Sequence, residues 1–197
     1  YVGGTSGYGG GMYIQDATAA KVYDCVFTGN SCTGGHSNGG GIFIWESTAI
    51  VSNCVISENE VSGANASAAG VYSHQSDAEF YNCLIVDNTA TLNGGGLFNS
   101  GNATYQNCTF SGNTAGNHGD GVFNHNGTPS FTDCIIFANG SESIYNNSSD
   151  LAIVTYSNIE GGYNGTGNID SDPEFVTGPE GDYYLDHVSR VLSLCID

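Results

Sequence analysis

Positive charge is almost missing from this chain: Lys21 and Arg190 stand against 20 acidic residues, for a net charge of −18 over 197 residues. Phosphate recognition needs Lys and Arg, so the balance excludes nucleic acid and argues against anionic membranes as partners. Proline is scarce too, at 3 residues, and the 30 glycines follow no strict Gly-x-y period, which excludes collagen. No apolar run approaches the length of a helical membrane span, so no direct membrane insertion is expected. The seven cysteines are odd in number and include no Cys-x-x-Cys, so neither a complete disulfide framework nor a zinc site is read from them. An initiator Met is absent as well; the chain opens at Tyr1, and an upstream segment is expected to have been removed or omitted.

What the chain has is a seven-residue phrase used five times: Asp/Asn, Cys, any, Phe/Ile, any, any, Asn. Its cysteines are Cys25, Cys54, Cys83, Cys108 and Cys134, and its closing residues are Asn30, Asn59, Asn88, Asn113 and Asn139. Successive cysteines are 29, 29, 25 and 26 residues apart, while the step from Cys to Asn is always 5. A fixed phrase with variable spacers marks a solenoid, in which each repeat is one coil and the spacers are loops.

Two further phrases recur between the cysteines. One is glycine-rich and then apolar: GGGMYI (9–14), GGGIFI (39–44), AAGVYS (68–73), GGGLFN (94–99) and GDGVFN (119–124). The other is Ala-x-Val/aromatic, from Ala20-x-Val22 to Ala103-x-Tyr105, with Pro129-x-Phe131 as a variant. Alternation within each phrase predicts a short strand, and three strands per turn predict an all-β, single-stranded parallel β-helix. About 6–7 coils of 23–30 residues are expected, with 1–159 as the coils and 160–197 as an irregular closing coil continuous with them. The five cysteines, the Phe/Ile two residues on, and the apolar residues of the glycine strand are assigned to an inward column. The five asparagines are assigned to an amide ladder at a bend, where Asn tolerates the left-handed conformation. Cys32 aligns with Val61, Ala90 and Ala115, and Ser157 aligns with the five cysteines, so these columns read as packing rather than reactive chemistry.

The Gly-Gly-Gly-Ile and Phe/Ile-x-x-Asn phrases resemble the repeats of polymorphic outer-membrane-protein-type β-helices in the pectin-lyase-like superfamily. The tail, with Tyr156-Ser-Asn-Ile159, Gly167-Asn-Ile-Asp-Ser-Asp-Pro-Glu-Phe175, Gly181-Asp-Tyr-Tyr-Leu185 and Cys195-Ile-Asp197, resembles the closing segment of choice-of-anchor Q domain proteins. It departs from that family in having Leu194 before Cys195, where proline is frequent. The resemblance implies a right-handed helix, a secreted or cell-surface address, and few settled activities.

Enzymes on such a fold usually cleave acidic polysaccharides. Lyase chemistry needs a base beside charge-neutralising groups, yet Lys21 and Arg190 lie at opposite ends of the chain. Hydrolysis needs paired carboxylates, and no Asp-Asp pair or Gly-His-Gly phrase occurs, so no catalytic residue is assigned. Two acidic pairs stack on adjacent coils, Asp16 with Glu46 and Glu58 with Asp87, and Ca²⁺ is the cation such pairs would attract. His74 and His125 fall in one column two coils apart, too far to share a metal. Tyr23, Tyr81 and Trp45 point outward, in different columns, where aromatics can meet polysaccharide. Of eight Asn-x-Ser/Thr sequons, Asn65, Asn126 and Asn164 lie in loop-like stretches and are the glycosylation candidates. The opening Tyr1-Val2-Gly3-Gly4 enters mid-coil, so further coils of a larger chain or identical subunits are expected at the solenoid ends. A non-catalytic extracellular solenoid is the leading expectation, with a carbohydrate-binding or adhesion module second and a polysaccharide lyase or hydrolase third.

Overall fold

A computed structural model of the chain describes residues 2–178 and 181–185. Every regular element among them is a strand, and successive coils stack their strands in parallel to form a β-solenoid. Three faces carry six strands each, joined by five turns, which is fewer than the 6–7 coils expected. The stack ends early because 160–169 adds only an isolated bridge from Ile169 to Asn158. Thereafter the chain folds on itself as an antiparallel hairpin, Phe175–Gly178 with Gly181–Leu185. Pro179, His187, Arg190 and Cys195 lie outside the described residues.

The first four coils each carry a fourth strand besides the three expected. A glycine sheet runs from Met12–Gln15 to Ile144–Asn146, and an alanine sheet from Ala20–Tyr23 to Ile153–Thr155. A cysteine sheet runs from Val26–Thr28 to Asn158–Ile159. The fourth, a return sheet, starts at Val2–Tyr8 and Ser31–Asn38 and shrinks to Thr114–Ala115. It escaped the sequence reading because its members share no phrase; its signature is the small column Cys32, Val61, Ala90, Ala115, held in register on adjacent coils.

Corners between the sheets are turned by single residues in the left-handed region. Just before the Cys position stand Asp24, Asn53, Asn82, Asn107, Asp133 and Tyr156, with φ of 50–54°. Asp and Asn visit this region more cheaply than most residues, which explains their preference there. At the glycine corner Gly9, Gly39, Gly94 and Gly119 have φ of 63–68°, and Ala68 takes the place at 62°. The ladder asparagines are not the left-handed residues, contrary to expectation. Their predecessors are: Gly29, Glu58, Asp87, Gly112 and Ala138, at 54–65°. By turning first, the predecessor aims the Asn side chain along the rod axis and into the stack.

There the amides interlock. Nδ2 of Asn30, Asn59, Asn88 and Asn113 donates to Oδ1 of the next Asn at 2.8–2.9 Å, ending at Asn139. The same Oδ1 accepts the previous Asn backbone N–H at 3.0–3.2 Å. The second Nδ2 proton reaches a carbonyl, as from Asn88 to Ile56 at 3.0 Å. The third glycine of each triplet makes room for this: a Cβ on Gly41 would meet Asn59 Nδ2 at 3.0 Å and the Gly70 carbonyl at 2.7 Å.

The main core holds stacked columns, including Val22, Val51, Phe80, Tyr105, Phe131 and Val154 from the alanine sheet. Cys54, Cys83, Cys108 and Cys134 are buried, and Cys25 in the first coil is half-buried. All six described cysteines are free thiols. Each of the five in the phrase donates its S–H to the carbonyl two residues earlier, at 3.1–3.4 Å. Ser157 does the same with its hydroxyl at 2.8 Å and accepts the Cys134 N–H at 3.0 Å. The position therefore selects a small hydrogen-bond donor, a sharper requirement than small size alone. The middle residue of each glycine strand is a correction of another kind: it faces outward, not into the core.

Candidate functional site

Those outward residues are all aromatic. Tyr13, Phe43, Tyr72, Phe98, Phe123 and Tyr145 stack along the rod with ring centroids 5.1, 4.9, 4.7, 4.9 and 5.5 Å apart. Consecutive rings are near parallel, with planes 5–28° apart. Such a column looks like a platform for flat ligands, yet its central rings are covered. Phe43, Phe98 and Phe123 are 2%, 8% and 4% exposed, and Ala68 packs with Phe98 and Phe123. This is a second, external core that clamps the coils, with Tyr72 and Tyr145 partly buried against it, and it is most open where Tyr8 and Tyr13 lie.

Beside it run the imidazoles and Trp45. The Trp45 ring lies 4.0 Å from that of His74, and burial holds the His74 pKa below its ordinary value, with Glu46 opposing and His125 assisting. His74 and His125 do not share a column. A bulge after Asn99 pairs Ser100 with Asn126, leaving His125 one step aside against Phe98. His118 stacks on Tyr145 at 4.2 Å and meets Glu142 Oε2 at 3.2 Å.

All four acidic candidates occupy corners. Asp16 and Glu46 follow the glycine strands, and Glu58 and Asp87 precede the ladder; all are exposed and left-handed. Asp16 accepts a hydrogen bond from Gln15 at 3.1 Å, and Asp87 accepts one from the tail hydroxyl of Tyr183 at 2.7 Å. Among the described residues no three His, Cys, Asp or Glu side chains gather in an arrangement able to hold a metal. A pair of carboxylates supplies few of the six to eight oxygens that Ca²⁺ takes, so these corners are a poor cradle for it. Asn65, Asn126 and Asn164 are exposed, with Asn126 accepting a hydrogen bond from Ser100 at 2.8 Å.

Two recesses stand out on the outer surface of the described residues. One, of about 710 Å³, lies between the cysteine corner and the tail, lined by Asn107, Asp133, Tyr156, Ser157, Ile169 and Leu185 among others. The other, of about 430 Å³, lies on the alanine sheet and is lined by Tyr23, Asp24, Ile50, Ser52, Asn53, Tyr81 and Asn82. It corrects the sequence reading, because Tyr23 and Tyr81 share a column. Tyr23 pairs with Ser52 and Ser52 with Tyr81, so two tyrosines flank a serine floor. Trp45 belongs to the other face.

Three structural groups were missed at the sequence level. Asp120 is 5% exposed, and its carboxylate accepts from Ala115 N (2.7 Å), Ser141 N (2.5 Å), Glu142 N (3.0 Å) and Ser141 Oγ (3.2 Å). Its signal was available, since GDG replaces GGG at 119–121. A second amide ladder, Asn99 to Asn124 to Asn146, runs inside the glycine sheet at 3.1 Å per step. Tyr163 closes the last coil, its hydroxyl bonded to Ala152 and Asn146. Comparison with known protein families, curated proteins and solved structures finds no match.

Proposed function

We propose that this chain is a non-catalytic structural β-solenoid that works outside the cell, as a unit of a surface layer or filament, and stacks end to end. The observation that carries this reading is where the repeat positions are used. Amide and aromatic columns face along the rod axis from one coil to the next, and the Cys83 thiol also reaches the Val51 carbonyl of the preceding coil at 3.5 Å. The motifs that recur are thus those that join coils, and the same joints can join subunits. The strands Met12–Gln15, Ala20–Tyr23 and Val26–Thr28 each pair on one side only among the described residues, presenting free backbone groups to a further coil. A head-to-tail contact of this kind does not close and generates a filament.

The resemblance of the repeats and tail to pectin-lyase-like surface proteins supports the exterior address, as does a charge of −18 in so small a chain. Ca²⁺ enters this reading only as a counter-ion that screens Asp16 with Glu46 and Glu58 with Asp87. The test is electron microscopy and sedimentation of the purified chain across a concentration series, with and without Ca²⁺. Rods that lengthen in steps of one subunit are expected. Monodisperse short rods at the highest concentration overturn the stacking, and turnover of a polysaccharide that is lost on mutating an outward carboxylate overturns the non-catalytic reading.

A further inference from the structure

The recess on the alanine sheet has no place in a purely structural account. Other outward columns are filled at every coil, by aromatics on the glycine sheet and by Val26, Val55, Leu84, Thr109 and Ile135 on the cysteine sheet. Here a large ring, a small floor and a second large ring alternate over three coils: Tyr23, Ser52, Tyr81.

The width follows from the coil spacing. Rings one coil apart stack with centroids 4.7–4.9 Å apart in this protein, so a two-coil gap is roughly 9.5 Å. A ring inserted between two aromatic faces needs about 3.5–4 Å on each side, roughly 7–8 Å in all. The remaining 2 Å or so fits a puckered six-membered ring and is loose for a planar base. Columns of rings in this solenoid face one another along the rod axis, which is also the direction across this gap. Tyr23 is 45% exposed, and Tyr81 is steadied by donating its hydroxyl to Glu79 Oε2 at 2.7 Å.

Polar groups line one edge of the gap. Asn82 Nδ2 donates to Asn53 Oδ1 at 3.2 Å, and Asn53 Nδ2 donates to Asp24 Oδ1 at 3.1 Å. These exposed amides and the carboxylate can exchange hydrogen bonds with hydroxyl groups. Ile50 supplies the apolar part of the floor.

We propose that Tyr23, Ser52 and Tyr81 form a slot that binds one neutral pyranose ring of a polysaccharide. The apolar faces of the sugar meet the two tyrosines, and its equatorial hydroxyls meet the Asp24, Asn53 and Asn82 edge. Lys21 and Glu79 flank Ile50 on either side and offset each other, so Asp24 at the edge and the net charge of −18 select against uronates and against nucleotides. Binding at this slot is independent of whether the chain forms filaments.

The experiment uses the whole chain on an array of neutral, amino-sugar and uronate oligosaccharides, followed by calorimetric titration of the best neutral hexose oligomer. Tyr23→Ala and Tyr81→Ala are each expected to weaken binding roughly tenfold, the equivalent of one ring-stacking contact. Ser52→Trp keeps both tyrosines but fills the slot, and is expected to abolish binding with an unchanged circular dichroism spectrum. Trp45→Ala, on the opposite arrangement of sheets, is expected to leave affinity unaltered. Silence toward every neutral oligosaccharide, a preference for uronates, or binding that survives Ser52→Trp overturns the proposal. Loss of filaments with sugar binding intact counts against the structural reading alone.

Discussion

The side-chain oxygen of Asn88 accepts two hydrogen bonds from Asn59, one from its backbone nitrogen at 3.0 Å and one from Nδ2 at 2.9 Å. Asn88 itself is fully buried and donates onward to Asn113 and to the Ile56 carbonyl. One amide thus fastens three coils.

Removing it leaves buried donors and an acceptor without partners, each costing about 1–3 kcal/mol. Asn88→Ala is expected to destabilise by roughly 3–4 kcal/mol in urea titration. Asn30→Ala, at the partly exposed end of the ladder, is expected to cost less than about 1 kcal/mol by the same reasoning. Equal losses at the two positions would show that the ladder does not act as a stack.

Tyr105 is a misfit in its own column. Its ring stacks between Phe80 and Phe131, with centroids 4.8 Å away on both sides, but its hydroxyl is buried without a hydrogen-bond partner. Tyr105→Phe keeps the stacking and removes the orphan, so a gain of about 1–2 kcal/mol is expected from the midpoint of denaturation.

Thiol reactivity should follow the columns. The hydrogen bond to Cys108 and burial push the Cys83 pKa up to about 12, and Cys54 and Cys108 are raised as well. Thiolate is the reactive form, so these positions should resist iodoacetamide in the folded protein. Peptide mapping should find Cys25 alkylated well before Cys54, Cys83, Cys108 and Cys134. Cys83→Ala is expected to cost ~1–3 kcal/mol through lost packing and a lost donor, without changing sugar binding.

His74 adds a pH dependence of known sign. Its folded pKa is lowered from 6.5, by burial first, so below 6.5 the unfolded chain binds more protons than the folded one. The contribution is complete above 6.5 and is lost as pH falls from there through the folded value. Stability should decline between neutral pH and the acid side of 6.5, and His74→Phe, which preserves the stack on Trp45, should flatten that decline. An unchanged slope in the variant would contradict the burial.

Much of the fold was legible because the step from Cys to Asn never varies; a constant interval across variable spacers can only mean columns. The fourth strand was hidden because Ser31–Asn38, Glu60–Ser62 and Thr89–Ala90 share no residue pattern, and backbone pairing defines them. Left-handed corners were misassigned by one residue, since Glu58 and Ala138 carry no propensity that reveals them. Tyr23 and Tyr81 both stand two residues before a phrase cysteine, so their shared column was legible in the sequence and was overlooked. The strand pairing through Ser52 adds the recess between them. The site was therefore visible as residues, but its shape was not.

The bonds that join coils run along the rod, and this decides how the molecule bears load. A pull on its two ends stretches the coil-to-coil joints in series, so the weakest joint sets the strength of the whole. The amide ladder stops at Asn139, because Gly162 holds its place in the coil of Ser157, and of the two ladders only the step from Asn124 to Asn146 crosses that joint. That last joint is where the rod should part first, while the five-amide span above it holds.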